Sequence, residues 1–292
     1  IPLLITIGII TVGLAIKSAL FPFHSWVPDA YGYSTVSSGA ILSSLVSKGY
    51  IFLLFKIIYR VIGFRTFADS HILSLLFLFG LCGMIFGSIS AIWEKDIRRM
   101  IAFSSVAQIG YIYMGLGLGT EMGVIAGIFH MLAHGATKSL LFVSAIGLTD
   151  VSGGSRSFFE LTGSAYRNKV AGAGFLVASL SMVGIPMFSG FVSKLLFAQA
   201  AVLVPSWKLF PTLIVLAVST VLNTIYFLKT VVRIYSPANK EEVQAKGYFC
   251  RRFPEQKVYA VTMVLFILVN LILGMNSQPI IALIAEGLHH FA

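Results

Sequence analysis

Four lysines of this sequence lie within long apolar stretches, at Lys17, Lys48, Lys138 and Lys194. An ionisable side chain inside a membrane span is costly and usually needs a partner or a water-filled cavity, so each lysine marks a candidate functional site. Lys48 lies the deepest, because apolar or small residues flank it on both sides for several turns. Lysines at these buried positions indicate a protein that moves protons or other ions across a membrane.

Other basic residues of the apolar stretches have a simpler interpretation. They lie within a turn or two of a predicted helix end and are Lys56, Arg60, Lys229 and Arg233. A long basic side chain in such a place can reach the membrane surface and keep its charge in water. We therefore treat these four as surface charges.

The segment "GIFHMLAHGATKSLLF" places His130, His134 and Lys138 at positions i, i+4 and i+8. On a helix these side chains form one polar stripe about 12 Å long. A proton relay is the leading interpretation, because imidazole titrates near neutral pH and burial can bring a lysine into that range. Histidines that only hydrogen-bond to neighbouring helices are the alternative. Zinc is disfavoured, since no cysteine or nearby carboxylate completes a ligand set.

Two prolines are expected to interrupt helices beside buried lysines. Lys17 precedes Pro22 in "GLAIKSALFPFHSWVPDAY", and Pro186 precedes Lys194 in "SMVGIPMFSGFVSKLLF". Proline removes a backbone donor and clashes with the preceding turn, and broken spans often form the ion site of a transporter. The opened turn would offer carbonyl groups and water to an ammonium group. The alternative is an ordinary proline kink with an unrelated lysine nearby.

No carboxylate lies well inside a predicted span. The nearest are Glu94, Asp96, Glu121 and Asp150, at span ends or in loops. The buried lysines are therefore neutral for much of the time, or their acidic partners belong to another segment or chain.

The composition indicates a membrane protein. Hydrophobic residues make up 57% and charged residues 11% of the sequence, where soluble domains carry about a quarter charged residues. The net charge of +10 falls mostly in connecting segments, which argues against nucleic acid as a partner. Cys82 and Cys250 form no cluster, so no disulfide framework or metal site is predicted.

About eight stretches reach the roughly 20 apolar residues that a spanning helix needs. They fall near 2–20, 36–60, 72–93, 99–118, 121–148, 169–199, 209–234 and 257–275. The final stretch, "SQPIIALIAEGLHHFA", is too short to span and is expected at the interface. The sequence begins without Met or a signal-peptide pattern, which we interpret as a cut end.

Lys and Arg are concentrated in every second loop. The loops after the first, third, fifth and seventh spans contain Lys95, Arg98, Arg99, Arg156, Arg167, Lys169, Lys240, Lys246, Arg251, Arg252 and Lys257. The alternate loops hold mainly Arg65 and Lys208. The positive-inside rule then places the first set in the cytoplasm and both chain ends outside.

Five motifs resemble the antiporter-like subunits of respiratory complex I and their Mrp Na+/H+ antiporter relatives. In order they are "KSALFPFHSWVPDAY", "SLVSKGYIFLLFKI", "EKDIRRMIAFSSVAQIGYIYMGLG", "HMLAHGATKSLLF" and "GIPMFSGFVSKLLF". The resemblance covers essentially the whole chain. It implies an all-α polytopic membrane fold of fourteen helices with two inverted five-helix repeats, of which this chain resembles helices seven to fourteen, two of them broken.

The resemblance also implies roles and boundaries. Residues 1–60 would end the first repeat, 72–234 would form the second, and 257–292 the C-terminal helix and tail of one membrane domain. The implied proton-translocating residues are Lys17, Lys48, His130, His134, Lys138 and Lys194, with helix breaks at Pro22 and Pro186. The family's glutamate on helix five has no counterpart here. Homologous and small membrane subunits are the implied partners, and a bacterial cell membrane is the expected location.

Three functions remain open at this stage. The first is proton translocation, with or without Na+, in a multi-subunit Mrp-type antiporter. The second is the same role in complex I or a membrane-bound hydrogenase, where a redox reaction elsewhere drives transport. The third is a truncated fragment that acts only as a scaffold. No cofactor is expected, because no Rossmann glycine fingerprint or cysteine cluster indicates NAD, flavin or Fe–S binding, and quinone binding has no support either.

Overall fold

A computed structural model describes residues 2–236 and 253–290, and within these ranges the regular structure is helical. One isolated bridge pairs Asp96 with Ser157. In chain order the helices are α1 (Pro2–Ser18), α2 (Val27–Tyr33), α3 (Val36–Ile41), α4 (Ser47–Ile57), α5 (Phe64–Asp69), α6 (Ile72–Trp93), α7 (Ile97–Gly117), α8 (Glu121–Asp150), α9 (Ser164–Arg167), α10 (Lys169–Val183), α11 (Ser189–Val202), α12 (Ser206–Ile234), α13 (Phe253–Met275) and α14 (Gln278–His289).

Six helices of the described ranges are long and apolar enough to cross a membrane. One of them, Val36–Ile62, joins α3 and α4 through the π-helical turn Leu42–Val46 and ends in a second such turn, Ile58–Ile62. Three shorter apolar helices, α1, α10 and α11, accompany them. The prediction of an all-helical, multi-pass membrane protein is confirmed.

Both predicted helix breaks are present. The first helix ends at Ser18, and α2 begins only at Val27, beyond Pro22. The predicted span 169–199 is divided into α10 and α11 by the segment 184–188, which contains Pro186. Gly184, directly after α10, has φ of +92°, a conformation that glycine adopts without the steric penalty of other residues. The second break therefore contains both Pro186, which has no backbone N–H group to donate, and a left-handed turn at Gly184.

The centre of the fold is α7, which is buried along nearly its whole length between α6 and α8. Glycines allow the close approach of α6 and α7. A Cβ atom at Gly80 would lie 2.5 Å from the backbone nitrogen of Met114, and one at Gly110 would lie 2.6 Å from the carbonyl oxygen of Gly80. Small residues have this role in membrane helix packing, where backbones must come close together.

The loops gather on two opposite faces. On the first, which we call the basic-loop face, Arg99 pairs with Asp29 and Glu94, and Arg156 lies 3.3 Å from Asp96. On the opposite face, His289 of α14 lies 3.4 Å from Glu121 at the start of α8. Of the loop residues assigned to the cytoplasm, Lys240, Lys246, Arg251 and Arg252 lie outside the described residues.

Lys208 differs from a simple loop residue. It lies in the first turn of α12, its side chain is buried, and its ammonium group donates a 2.6 Å hydrogen bond to the carbonyl oxygen of Gly117. The rings of Phe77 and Trp207 lie 5.7 and 5.0 Å from its Nζ atom. Lys208 thus satisfies a carbonyl at the C-terminal end of α7.

Candidate functional site

Five of the six predicted proton-translocating residues lie on helices packed around the middle of the fold. His130, His134 and Lys138 are buried on α8, Lys48 is buried on α4, and Lys194 is partly buried on α11. The chain segment that carries Lys48 and the helix that carries Lys194 both pack against α8.

The polar stripe of α8 forms as its spacing predicts. The rings of His130 and His134 are stacked with centroids 5.8 Å apart. Nδ1 of His130 lies 2.9 Å from the hydroxyl of Ser193 on α11, and the ring of Tyr111 stacks on His130 at 5.4 Å. The stripe therefore contacts both α7 and α11.

Lys138, at the end of the stripe, is fully buried. Its ammonium group donates to the carbonyl oxygen of Ile101 at 2.6 Å and to the hydroxyl of Ser104. Both acceptors belong to α7. Both acceptors are neutral, and a buried ammonium group without a carboxylate partner is costly.

Lys48 lies two residues after the π-helical turn Leu42–Val46, a feature that often marks functional sites. Its ammonium group donates to the carbonyl oxygen of Ser43 and, at 3.2 Å, to the hydroxyl of Ser47. The absence of a side chain at Gly135 lets this turn approach α8, since a Cβ atom there would lie 3.1 Å from the carbonyl oxygen of Ser44.

The segment that carries Lys48 packs against the helix of the polar stripe. Helix α3 and the π-helical turn Leu42–Val46 both contact α8. Like charges in a poorly hydrated interior repel over several ångströms, so charges on this segment and on the stripe would repel. We use the name polar file for Lys48, His130, His134, Lys138 and Lys194.

Lys194 is held at the second helix break. Its ammonium group donates a 2.6 Å hydrogen bond to the carbonyl oxygen of Val183, the last residue of α10. The same Nζ atom lies 6.0 Å from the centre of the Tyr111 ring. The expectation that a broken helix offers a carbonyl to an ammonium group thus agrees with the surroundings of Lys194.

A hydrogen-bonded group of neutral side chains braces this break. The hydroxyl of Thr137, beside Lys138, donates to Oδ1 of Asn270 on α13 at 2.6 Å and lies 3.3 Å from the hydroxyl of Ser181. Ser181 in turn lies 3.2 Å from the hydroxyl of Ser189 at the start of α11. This brace, Thr137, Ser181, Ser189 and Asn270, joins α8 and α13 to both sides of the break.

Lys17 is not brought into the polar file. Its side chain is exposed on α1, and among the described residues it has no hydrogen-bonding partner, so the first break does not offer it a carbonyl in the way expected. The exposed side of α1 is otherwise apolar and includes Leu3, Ile5 and Ile9. A role of Lys17 in transport therefore stays a prediction.

Several polar atoms of the file have no protein partner. Within the described residues, both ring nitrogens of His134 and Nε2 of His130 are buried without a hydrogen bond. Buried polar atoms are nearly always satisfied by protein or by water.

The neutral residues of the site were not predicted. Ser104, Gln108 and Tyr111 lie on α7 at spacings of four and three, which is the pattern of one polar helix face and was a usable signal. Ser193 lies four residues after Ser189, which repeats this pattern on α11. Asn270 gave no such signal, since it is the one polar residue of the stretch 263–275.

The chain is similar to known membrane proteins. The family described as NADH:quinone oxidoreductase/Mrp antiporter, TM, matches residues 1–223. The chain is 35% identical over 226 residues to NADH-quinone oxidoreductase subunit N of Desulforudis audaxviator, which covers 77% of this chain and 44% of that protein. It is 32% identical over 237 residues to a putative antiporter subunit of Staphylococcus haemolyticus, which covers 75% of this chain and 29% of that protein.

Solved structures share the fold. A chain of the Mrp complex from Dietzia sp. superimposes with a TM-score of 0.82 and 26% identity, over 96% of this chain and 58% of that one. A chain of the archaeal membrane-bound sulfane sulfur reductase gives a TM-score of 0.78 and 26% identity, over 94% and 53%. The chain thus spans between about a third and somewhat over half of the length of these relatives.

Proposed function

Because the chain belongs to the NADH:quinone oxidoreductase/Mrp antiporter transmembrane family, we propose that it carries protons across a membrane as part of a multi-subunit, Mrp-type cation/proton antiporter. The observation that supports this most is the polar file, in which three lysines and two histidines lie together inside apolar helices.

The chemistry of the file suits proton transfer. The amine of a neutral lysine accepts a proton, an imidazole accepts at one nitrogen while it donates from the other, and an ammonium donates again. His130 and His134 are stacked between the lysines, and their unpaired nitrogens leave positions for water. No group of the file has to leave the membrane interior for a proton to move along it.

The charges of the polar file provide a way to couple proton movement along it to a driving force. Positive charges on neighbouring members of the file would repel one another, and no carboxylate of the described residues lies in the file to offset them. A negative charge brought near one end of the polar file would favour protonation of the lysine there and deprotonation of its neighbour. Moving one charge across 100 mV corresponds to about 2.3 kcal/mol, which a shift of about two pKa units matches.

Lys17 and the exposed apolar side of α1 suggest where the remainder of the assembly lies. We assign residues 1–60 to the end of a first repeat and 72–234 to a second repeat, as the resemblance implies. Lys17 would then face a carboxylate supplied by another segment or subunit. Homologous and small membrane subunits are the proposed partners, H+ and Na+ the proposed ions, and a bacterial cell membrane the proposed location.

A redox-driven pump is the second candidate. It is favoured by the 35% identity to a subunit named NADH-quinone oxidoreductase subunit N and by the structural similarity to a respiratory membrane complex. The polar file would serve the same purpose there, with the driving reaction in other subunits.

The proposed function is tested with the complete complex in closed membrane vesicles. His134→Leu removes both unpaired ring nitrogens from a buried site, and we expect it to abolish ΔpH-driven cation exchange while the complex still assembles. The matched control is His290→Leu, since this side chain is exposed at the end of α14. Wild-type exchange by His134→Leu vesicles would show that the histidine stripe does not carry protons.

A further inference from the structure

An apolar cavity of about 140 Å³ lies between α4, α8 and α14, apart from the polar file. Phe52, Ile128 and Leu288 are among the side chains that line it, and Gly287 leaves room on the side of α14. Phe52 belongs to the span Val36–Ile62 and is 43% exposed, so the cavity opens at the surface of a membrane-spanning helix. A cavity of this kind is able to accept a hydrocarbon chain.

A larger, polar cavity of about 520 Å³ adjoins the apolar cavity on the face opposite the basic-loop face. The two cavities share Tyr59 and Leu288 as lining residues. Arg65 and Glu121 line the polar cavity, which therefore contains one cationic and one anionic side chain, with His289 beside Glu121. The two adjoining cavities together form one amphipathic site.

The two cavities are arranged along the direction in which the helices cross the membrane. Glu121 begins α8, and Ile128 lies seven residues further along it, about 10 Å deeper at 1.5 Å per residue. Phe52 precedes Tyr59 by the same number of residues in the span Val36–Ile62. The charged end of the site thus lies at the membrane surface and its apolar end toward the membrane interior, as the two ends of a phospholipid do.

The charged side chains of the polar cavity have bonding capacity that the chain itself does not use. Arg65 has no hydrogen bond or ion pair within residues 2–236 and 253–290. Oε1 of Glu121 lies 3.4 Å from Nε2 of His289, and a carboxylate accepts hydrogen bonds at both of its oxygens. A guanidinium group binds phosphate with two parallel hydrogen bonds, and an ammonium group donates to a carboxylate. The site therefore suits a headgroup with one phosphate and one ammonium group.

Contacts within the chain hold the walls of the site in place. The guanidinium group of Arg60 donates a 3.2 Å hydrogen bond to the carbonyl oxygen of His290, which ties the end of α14 to the end of the span that carries Tyr59. The rings of Tyr59 and Phe64 stack with centroids 5.1 Å apart and form an aromatic wall of the polar cavity. Aromatic side chains are enriched at this depth of a membrane, where headgroups meet hydrocarbon.

We propose that this site binds one molecule of phosphatidylethanolamine from the surrounding membrane. The phosphate of the lipid lies at Arg65, its primary ammonium group at Glu121, and one acyl chain in the apolar cavity. Phosphatidylglycerol has no cation for Glu121, and the quaternary ammonium group of phosphatidylcholine cannot donate a hydrogen bond to a carboxylate. The inference does not rest on the proposed function, because a lipid can bind here whether or not the chain moves protons.

The test is native mass spectrometry of the complete complex, stripped of lipid in mild detergent and titrated with phosphatidylethanolamine. Gly287→Phe fills the apolar cavity, since a Cβ atom at Gly287 would meet no other group within 4 Å. This variant should bind one lipid fewer per copy of the chain than the wild type. The matched control is Ala282→Phe on the opposite, exposed side of α14, which should bind as many lipids as the wild type.

Arg65→Gln tests the headgroup contact and does not depend on filling the cavity. The loss of a hydrogen bond to a charged group should weaken the binding of phosphatidylethanolamine at this site by about tenfold to a hundredfold. Arg233→Gln makes the same change at an exposed side chain on the basic-loop face, at the end of α12, and should leave binding unchanged.

Glu121→Gln tests the choice of lipid, and it should weaken the binding of phosphatidylethanolamine about tenfold more than that of phosphatidylcholine. Equal binding of phosphatidylethanolamine by wild-type, Gly287→Phe and Arg65→Gln complexes would overturn the site. A wild-type preference for phosphatidylglycerol or phosphatidylcholine at the site that Gly287→Phe removes would overturn the proposed occupant. The readout is bound lipid rather than flux, so neither result bears on the proposed function.

Discussion

The ammonium group of Lys194 is hydrogen-bonded to the carbonyl oxygen of Val183 at 2.6 Å, across the break between α10 and α11. Val183 ends α10, where the helix dipole is negative and carbonyl groups lack helical partners. The break therefore supplies a neutral acceptor for a protonated lysine. A carbonyl group stabilises the charged form less than a carboxylate would.

Lys48 and Lys194 are predicted to carry protons. Lys→Met at either position should abolish transport while the complex assembles, because an apolar side chain is easily accommodated in a membrane helix. Lys→Arg should also impair transport, since a guanidinium group does not release its proton. The measurement is ΔpH-driven exchange in vesicles.

The control for these two lysines is Lys169→Met, because Lys169 is exposed at the start of α10. Its exchange rate should equal that of the wild type. Normal exchange by both Lys48→Met and Lys194→Met would mean that these lysines only contribute to packing.

Gly184→Ala is predicted to disturb Lys194. Gly184 has φ of +92°, and an added Cβ atom would lie 3.0 Å from Cδ of Lys194. We expect a loss of about 1–2 kcal/mol in the free energy of unfolding from the backbone alone, together with reduced transport.

Gly153→Ala separates these two effects. Gly153 also has positive φ, at +65°, but a Cβ atom there meets no other group within 4 Å. It should lose similar stability and keep normal transport. Equal transport by the two variants would argue against a role for the geometry at Lys194.

Asn270 is predicted to position the helix break through the brace. Asn270→Leu removes the interhelical acceptor of the Thr137 hydroxyl, which then keeps only the carbonyl oxygen of Ala133 in its own helix. The assembled complex should therefore lose about 1 kcal/mol in unfolding free energy and transport more slowly. Asn276→Leu is the matched control, because this side chain is exposed just beyond α13. Unchanged stability of Asn270→Leu would show that the brace contributes nothing.

The orientation of the chain is predicted from its loop charges. Lys95→Cys, on the basic-loop face, should be labelled only from the cytoplasm, and Ser206→Cys only from outside. Ser206 is chosen as the labelling site because its side chain is exposed, whereas that of the nearby Lys208 is buried. Labelling of Ser206→Cys from the cytoplasmic side alone would reverse the orientation.

Much of the fold was predictable from the sequence because its causes are local. Apolar length determines the spans, and Pro22 and Pro186 cannot continue a regular helix, so both breaks were expected. The stripe of His130, His134 and Lys138 follows from helical spacing alone. These features need no knowledge of which helices are neighbours.

The partners of the site residues depend on packing between distant segments. Thr137 meets Asn270 from 133 positions away, and Lys138 meets Ser104 on another helix. The π-helical turn before Lys48 and the burial of Lys208 also depend on how the helices pack. Spacing within one segment carries no information on such contacts.

The most direct test of the central claim is proton flux through a complete complex that carries Lys138→Met. Lys138 connects the polar file to Ser104, so its loss removes a proton carrier without removing packing volume. With normal assembly, the reconstituted complex is predicted to give no ΔpH-driven flux above that of protein-free liposomes. Flux at the wild-type rate would contradict the account, because protons would then cross without the buried file.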